Sequence, residues 1–153
     1  MSEIKIISGG QTGVDQGALD FALDHHFICG GYCPKGRKSE LGVIPFKYPV
    51  IEIESEEYID RTRKNVIESD GSLIIKDQDE MGEGTEDTIR FCIQFSKPYL
   101  IINADSTLNA GYQFRRWIVE NKIKVLNIAG NKQSESTDIC GRTYLLLIKL
   151  FDI

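Results

Sequence analysis

Histidine is nearly missing from this 153-residue chain: it has two, His25 and His26, side by side. Adjacent histidines suit neither a catalytic triad nor a shared metal-binding helix face, and at the end of a helix their natural use is to complement its dipole. There is no G-x-S-x-G elbow and no H-E-x-x-H, which removes the elbow hydrolases and the zincins. Cys29, Cys33, Cys92 and Cys140 are scattered. Only the first two are close, at C-x3-C with no histidine beside them, so thiols packed as small hydrophobes are favoured over a disulfide or a metal clip. Nothing requires Cys33 to meet a metal as a soft thiolate. No run approaches the roughly 18 apolar residues of a membrane span. "MSEIKIISGG" lacks the charged start and apolar segment of a secretory signal, so the expectation is a cytoplasmic protein with no membrane partner. An excess of basic charge is also missing: a net charge of -5 and a pI near 5.1 argue against a general nucleic-acid surface.

What is present fits one soluble globular domain over residues 1–153, since that length buries a single sizeable core but not two. Short apolar runs alternate with longer stretches of helical period, the pattern of an α/β fold with a mostly parallel sheet. Strands are expected at 4–8, 49–53, 71–76, 98–103 and 124–129. Their Ile, Val and Leu content without clean alternation implies helices on both faces. Helical stripes run through Val14, Ala18, Phe21 and Ala22, through Ile59, Thr62, Val66 and Ile67, and from Ile89 through Cys92, Ile93 and Gln94. Two further helices are expected at 106–121 and 137–151, with Ser106 and Thr137 as caps. In the last of these, Tyr144, Leu145, Leu147, Ile148 and Phe151 form a stripe that packs a core or a subunit interface.

The segment "CPKGRKSELGVIPFKYP", 33–49, has no usable period and reads as a long, functional or mobile loop. It carries Lys35, Arg37, Lys38 and Lys47 against Glu40 alone, a local basic patch on an acidic protein.

The densest motif is "SGGQTGVDQGALDFAL", 8–23, which turns the first strand into the first helix. Such a turn points unpaired N–H groups outward at the positive end of a helix dipole and so attracts an anion. Gly9, Gly10 and Gly13 permit positive φ and close approach, and Thr12 offers a hydroxyl. Gln11 and Asp15 add an amide and a carboxylate able to read a polar heterocycle. A second glycine turn, "GEGTEDT" with Gly82, Gly84 and Thr85, holds the equivalent place after strand 71–76. Two such turns flanking one crevice favour a small phosphate-bearing ligand at the carboxyl ends of the strands. The motif is neither a dinucleotide fingerprint nor a Walker loop.

These motifs, with "GGYCPKGRKSELGVIPFKYPVIE", "TRKNVIESDGSLII" and "LNIAGNKQSE", resemble the molybdenum carrier family, in the superfamily that holds the Lonely Guy phosphoribohydrolases and the lysine decarboxylase-like proteins. The likeness runs in order over essentially the whole chain. It implies a Rossmann-like three-layer open sheet, a homo-oligomer (dimer or tetramer), and binding of the molybdenum cofactor for carriage to molybdoenzymes, without bond-breaking chemistry. On that reading the ligand is held by Gly9, Gly10, Gln11, Thr12, Gly13, Asp15, Lys35, Arg37, Arg63, Gly82, Gly84 and Thr85. No catalytic and no metal-ligating residue is assigned.

The rival reading is an N-glycosidic hydrolase of nucleoside 5'-monophosphates. Lonely Guy enzymes use an arginine before the glycine turn and a glutamate after it, in G-G-x-G-T-x-x-E. Arg63 and Lys64 match the first position, but Thr88 stands where the glutamate belongs, so the obvious agent of water activation is gone. A nucleotide-derivative sensor is a third class.

Overall fold

The computed structural model describes residues 3–77, 81–106 and 109–153. In chain order it runs β1 (Lys5–Ile7), α1 (Val14–Asp24), β2 (Cys29–Gly30), β3 (Tyr32–Cys33), β4 (Lys38–Ser39), β5 (Gly42–Val43), β6 (Ile51–Glu52), α2 (Tyr58–Ile67), β7 (Gly71–Lys76), α3 (Glu83–Gln94), β8 (Tyr99–Asn103), α4 (Ala110–Glu120), β9 (Val125–Gly130), a 3-10 turn (Gln133–Glu135) and α5 (Ile139–Phe151). Five strands form one wholly parallel sheet in the order β2-β1-β9-β7-β8. This is the parallel α/β sheet that the alternation of runs implies, in the Rossmann-like architecture that the family resemblance implies.

Successive residues of a strand face opposite sides, and the two sides are buried differently. Ile6, Leu73, Ile75, Leu126 and Ile128 point into the main core, which α1, α4 and α5 complete with Phe21, Phe114, Leu147 and Phe151. The intervening Ser72 and Asn127 bond to one another, Asn127 Nδ2 donating to Ser72 Oγ at 2.9 Å, on the face covered by α2 and α3. That second face is polar at its centre, and it is where a cavity opens.

Three expectations are corrected. Strand 49–53 lies outside the main sheet: Ile51–Glu52 pairs with Tyr32–Cys33, and the fifth parallel strand is Cys29–Gly30, too short to show as an apolar run. The segment 33–49 contains an antiparallel hairpin, β4–β5, closed by Gly42 at φ +97°. The α2 stripe is displaced by polar residues: Ile59 and Ile67 are exposed while Arg61, Asn65 and Val66 are buried, because that helix face borders the cavity rather than the apolar core. The caps also move. α4 is preceded by Asn109 and α5 by Asp138, both left-handed, rather than by Ser106 and Thr137. Residues 78–80 of "KDQDEMGEG" and 107–108 of the expected 106–121 helix lie outside the described residues. Among the described residues no helix is long and apolar enough to cross a membrane.

Candidate functional site

The crossover after β1 runs outward to β2 and the crossover after β7 runs outward to β8, while β9 lies between them. Their departure in opposite directions leaves a crevice above the carboxyl end of β9, the switch point at which open α/β sheets place ligands. A cavity of about 540 Å³ fills it. Its walls are Gly9, Gln11 and Asp15 from the first glycine turn; Tyr58, Arg61, Thr62 and Asn65 from α2; Gly84, Thr85, Asp87 and Thr88 from α3; and Asn127, Ala129, Gly130, Lys132 and Glu135 from β9 and the turn beyond it.

The first turn is built around its own side chains. Gly13 has φ +87°, and a Cβ there would collide with the carbonyl of Asn131, whose oxygen accepts the Val14 N–H at 3.0 Å. Gln11 N–H donates to Asp15 Oδ2 at 3.1 Å and Thr12 N–H to Gln11 Oε1 at 3.1 Å. The expectation that these amides stand unpaired is therefore corrected: Asp15, Gln11 and the Asn131 carbonyl already accept from Gln11, Thr12 and Val14. Gln11 Oε1 takes a second bond, from Glu40 N–H at 2.9 Å. Two donors on one oxygen fix the amide plane, so the NH2 group is what Gln11 has left to offer the cavity.

Beside this turn lies a buried ion pair. Arg61, 7% exposed, donates from Nη1 to the Gly9 carbonyl at 2.7 Å, and the same nitrogen is 4.0 Å from Asp15 Oδ2. The Tyr58 ring lies 5.3 Å from the guanidinium. Burial pushes the Asp15 carboxyl above its ordinary value, against the opposing pull of Arg61 and the Gln11 N–H. Burial likewise draws Arg61 downward, opposed by Asp15. Asn65 clamps Tyr32 with a pair of 3.0 Å bonds, accepting from its N–H and donating to its carbonyl. Asn127 donates its amide to Ser72 and lines the cavity, and among the described residues no donor takes its Oδ1.

Across the cavity stands the start of α3. Thr85 and Glu86 N–H both donate to the Gly82 carbonyl, at 3.1 and 3.0 Å, and no acceptor among the described residues takes the N–H of Glu83 or Gly84. These are the orphan donors of a helix N-terminus. The Glu135 carboxylate lies so close to Gly82 that a Cβ at that position would overlap it. Thr88, in the place of the hydrolase glutamate, lines the cavity and donates its hydroxyl to the Gly84 carbonyl at 3.1 Å.

The lining carries five carboxylates, Asp15, Glu57, Glu83, Asp87 and Glu135, against Arg61 and Lys132. An anionic group entering it must be met locally, by those two cations and the first amides of α3, rather than by a positive field.

Of the expected site residues, Gly9, Gln11, Asp15, Gly84 and Thr85 line the cavity, Gly10 and Gly13 shape the first turn, and Gly82 caps α3. Thr12 turns its hydroxyl to Glu40 and accepts from Gln133 N–H at 3.2 Å. Arg37 lies elsewhere: its guanidinium donates to the carbonyls of Ile44, Pro45, Tyr48 and Val50 at 2.8–3.1 Å and so ties the 33–49 segment together. Lys35 is exposed, and Arg63 points outward to pair with Asp60 at 2.6 Å. Cys33 is fully buried among Leu19, Ile44, Tyr48 and Val50. Sequence reasoning missed Arg61, Asn65, Asn127 and Lys132. A signal existed for the first two, polar residues four apart beside the buried Val66 of α2.

Glu40 makes a second polar cluster behind the turn. Its Oε1 accepts from Thr12 Oγ1 through a short bond and from Ser134 N–H at 3.1 Å, and its Oε2 accepts from Ser134 Oγ at 2.5 Å. Burial works against its charge, but the bonds from Ser134 and Thr12 prevail and hold the carboxyl below its ordinary value.

Residues 6–151 match the model of the family described as "Circularly permutated YpsA SLOG family". The chain is also similar to a solved structure from Syntrophus aciditrophicus SB described as a "Putative molybdenum carrier protein", at 43% identity and a TM-score of 0.90, over 95% of this chain and 93% of that one. No curated protein matches.

Proposed function

Because the chain belongs to the circularly permutated YpsA family of the SLOG superfamily, with a ligand crevice at its switch point, we propose that it binds and shields a phosphate-bearing heterocycle of the molybdenum cofactor type, without cleaving it. The observation that carries the reading is the polar lining between the two glycine turns: the Gln11 amide as donor, Asn127 Oδ1 and Asp15 as acceptors, and Arg61 beside Asp15. A bare phosphate site has no use for acceptors, whereas a pterin or nucleobase edge pairs N–H groups with them.

The residues fit such a ligand in size and in pattern. A cavity of about 540 Å³ falls within the usual range for small ligands, roughly 300–1,000 Å³. Lys132 and the amides of Glu83 and Gly84 would take the phosphate, and Asp15 or Asn127 the heterocycle. When bound, the cofactor supplies a molybdenum centre with its own dithiolene sulfurs. Cys33 is packed in the core and need not contribute. The function is then retention and exclusion of water, consistent with the name given to the relative from Syntrophus aciditrophicus.

A second reading is supported by Asp15. A carboxyl raised by burial beside an arginine has the character of a general acid, which N-glycosidic cleavage of a nucleoside monophosphate would require. Native mass spectrometry with molybdenum analysis, run beside an AMP hydrolysis assay, separates the two. The carrier reading expects one cofactor per chain and no release of adenine. Adenine release that Asp15→Asn abolishes, with no molybdenum retained, would replace it by the hydrolase.

A further inference from the structure

We propose that Thr12 and Ser134 form a second oxyanion seat beside the crevice, occupied in this structure by the Glu40 carboxylate, and that an incoming tetrahedral oxyanion displaces Glu40 and lifts the β4–β5 hairpin. The inference rests on the proposed function only for the ligand's identity, because its test uses inorganic phosphate.

The seat is made by elements that do not need the hairpin. Thr12 belongs to the first glycine turn and Ser134 to the 3-10 turn after β9, more than a hundred residues away in sequence. They are held together by the Gln133 N–H, which donates to Thr12 Oγ1 at 3.2 Å and so commits the hydroxyl proton of Thr12 to the seat. Three donors converge there: Thr12 Oγ1, Ser134 N–H and Ser134 Oγ. Lys132 adds attraction for negative charge. Hydroxyls paired with a main-chain N–H and a nearby cation suit a phosphate oxygen as well as a carboxylate.

Glu40 is the means by which the hairpin tip is fastened. Leu41 is 81% exposed and Val43 61%, and the Ser39 hydroxyl bonds locally to the Gly42 carbonyl. Among the described residues, the bonds that tie the tip (39–42) to the body of the protein come from Glu40, through its N–H to Gln11 Oε1 and its carboxylate to the seat, while the base of the hairpin is held by Lys38 Nζ on the Glu56 carbonyl at 3.5 Å and by the buried Ile44. Gln11 lines the cavity, so release of Glu40 removes one of the two bonds that fix the Gln11 amide. Strap, seat and crevice are thereby coupled.

A tethered carboxylate competes with free anions at an effective concentration in the millimolar range for a short flexible link. Wild type should therefore bind phosphate weakly, and removal of the tethered anion should raise affinity about tenfold or more. The test is isothermal titration of the full chain with inorganic phosphate for wild type, Glu40→Ala, Glu40→Gln and the double variant Glu40→Ala/Thr12→Val, with tryptic cleavage after Lys38 followed in parallel. We expect both Glu40 variants to gain affinity, the Thr12→Val change to erase the gain, and saturating phosphate to speed wild-type cleavage after Lys38. Equal phosphate affinity in wild type and both Glu40 variants, or a gain that survives Thr12→Val, overturns the proposal. A phosphate gain without cofactor binding would leave the seat standing and remove the carrier reading; cofactor binding without any phosphate gain would do the reverse.

Discussion

Removing Arg61 would leave Asp15 buried without a counter-charge and the Gly9 carbonyl without its donor. Loss of one member of a buried ion pair typically costs about 3–5 kcal/mol, so Arg61→Ala should lower the urea midpoint by that equivalent at unchanged m-value. Arg63, paired with Asp60 in solvent, should change stability by no more than about 0.5 kcal/mol when cut to alanine. The contrast is worth measuring because the two arginines sit two positions apart in α2 and the Arg-Lys pattern singles out the outer one. Asp15 adds a pH signature. Its folded value lies above its ordinary 3.8, so the stability it contributes is complete below that value and is lost as pH rises through the folded one. Asp15→Asn should flatten that part of the stability–pH curve in denaturant titrations. At Gly13 the positive φ and the Asn131 carbonyl act together. Gly13→Ala should cost about 1–2 kcal/mol from the backbone alone, and more from the collision, read as a fall in thermal midpoint.

Among the elements, the β4–β5 hairpin responds to pH in the opposite sense. The Glu40 carboxyl lies below its ordinary 4.5, so the attachment it provides is complete above that value and fades as pH falls through the lower folded one. Amide exchange of residues 39–43, corrected for intrinsic rates, should therefore be slower at pH 6 than at pH 3.5, and Glu40→Gln should remove the difference. This hairpin was not legible in the sequence. Two-residue strands have no period to detect, and an arginine that binds four carbonyls of its own loop looks like any solvated cation. The long elements were legible because apolar residues fill most of their buried positions: β7 occupies 71–76 as its apolar run requires, and the α1 stripe is fully buried. In α2 the same logic failed where the buried face is wet.

At the scale of the whole molecule the candidate crevice lies where the chain turns outward in two directions, and the two glycine turns after two strands mark its two sides in the sequence. What the sequence does not convey is the other wall of the crevice. Arg61 and Asn65 reach it from α2, a helix that follows the excursion of β3 to β6, and Asn127 reaches it from β9, more than a hundred residues after the first turn. Such proximity is a property of sheet order rather than of local pattern. It also means that ligand binding should stabilise the fold as a unit, by about 2.7 kcal/mol at a hundredfold excess over Kd. Backbone chemical-shift mapping of the full chain titrated with isolated molybdenum cofactor tests the central claim most directly. The account predicts saturable shifts at Gln11, Arg61, Gly84 and Asn127, with the cofactor recovered intact. Shifts confined to other surfaces, or recovery of a cleaved ligand, would contradict it.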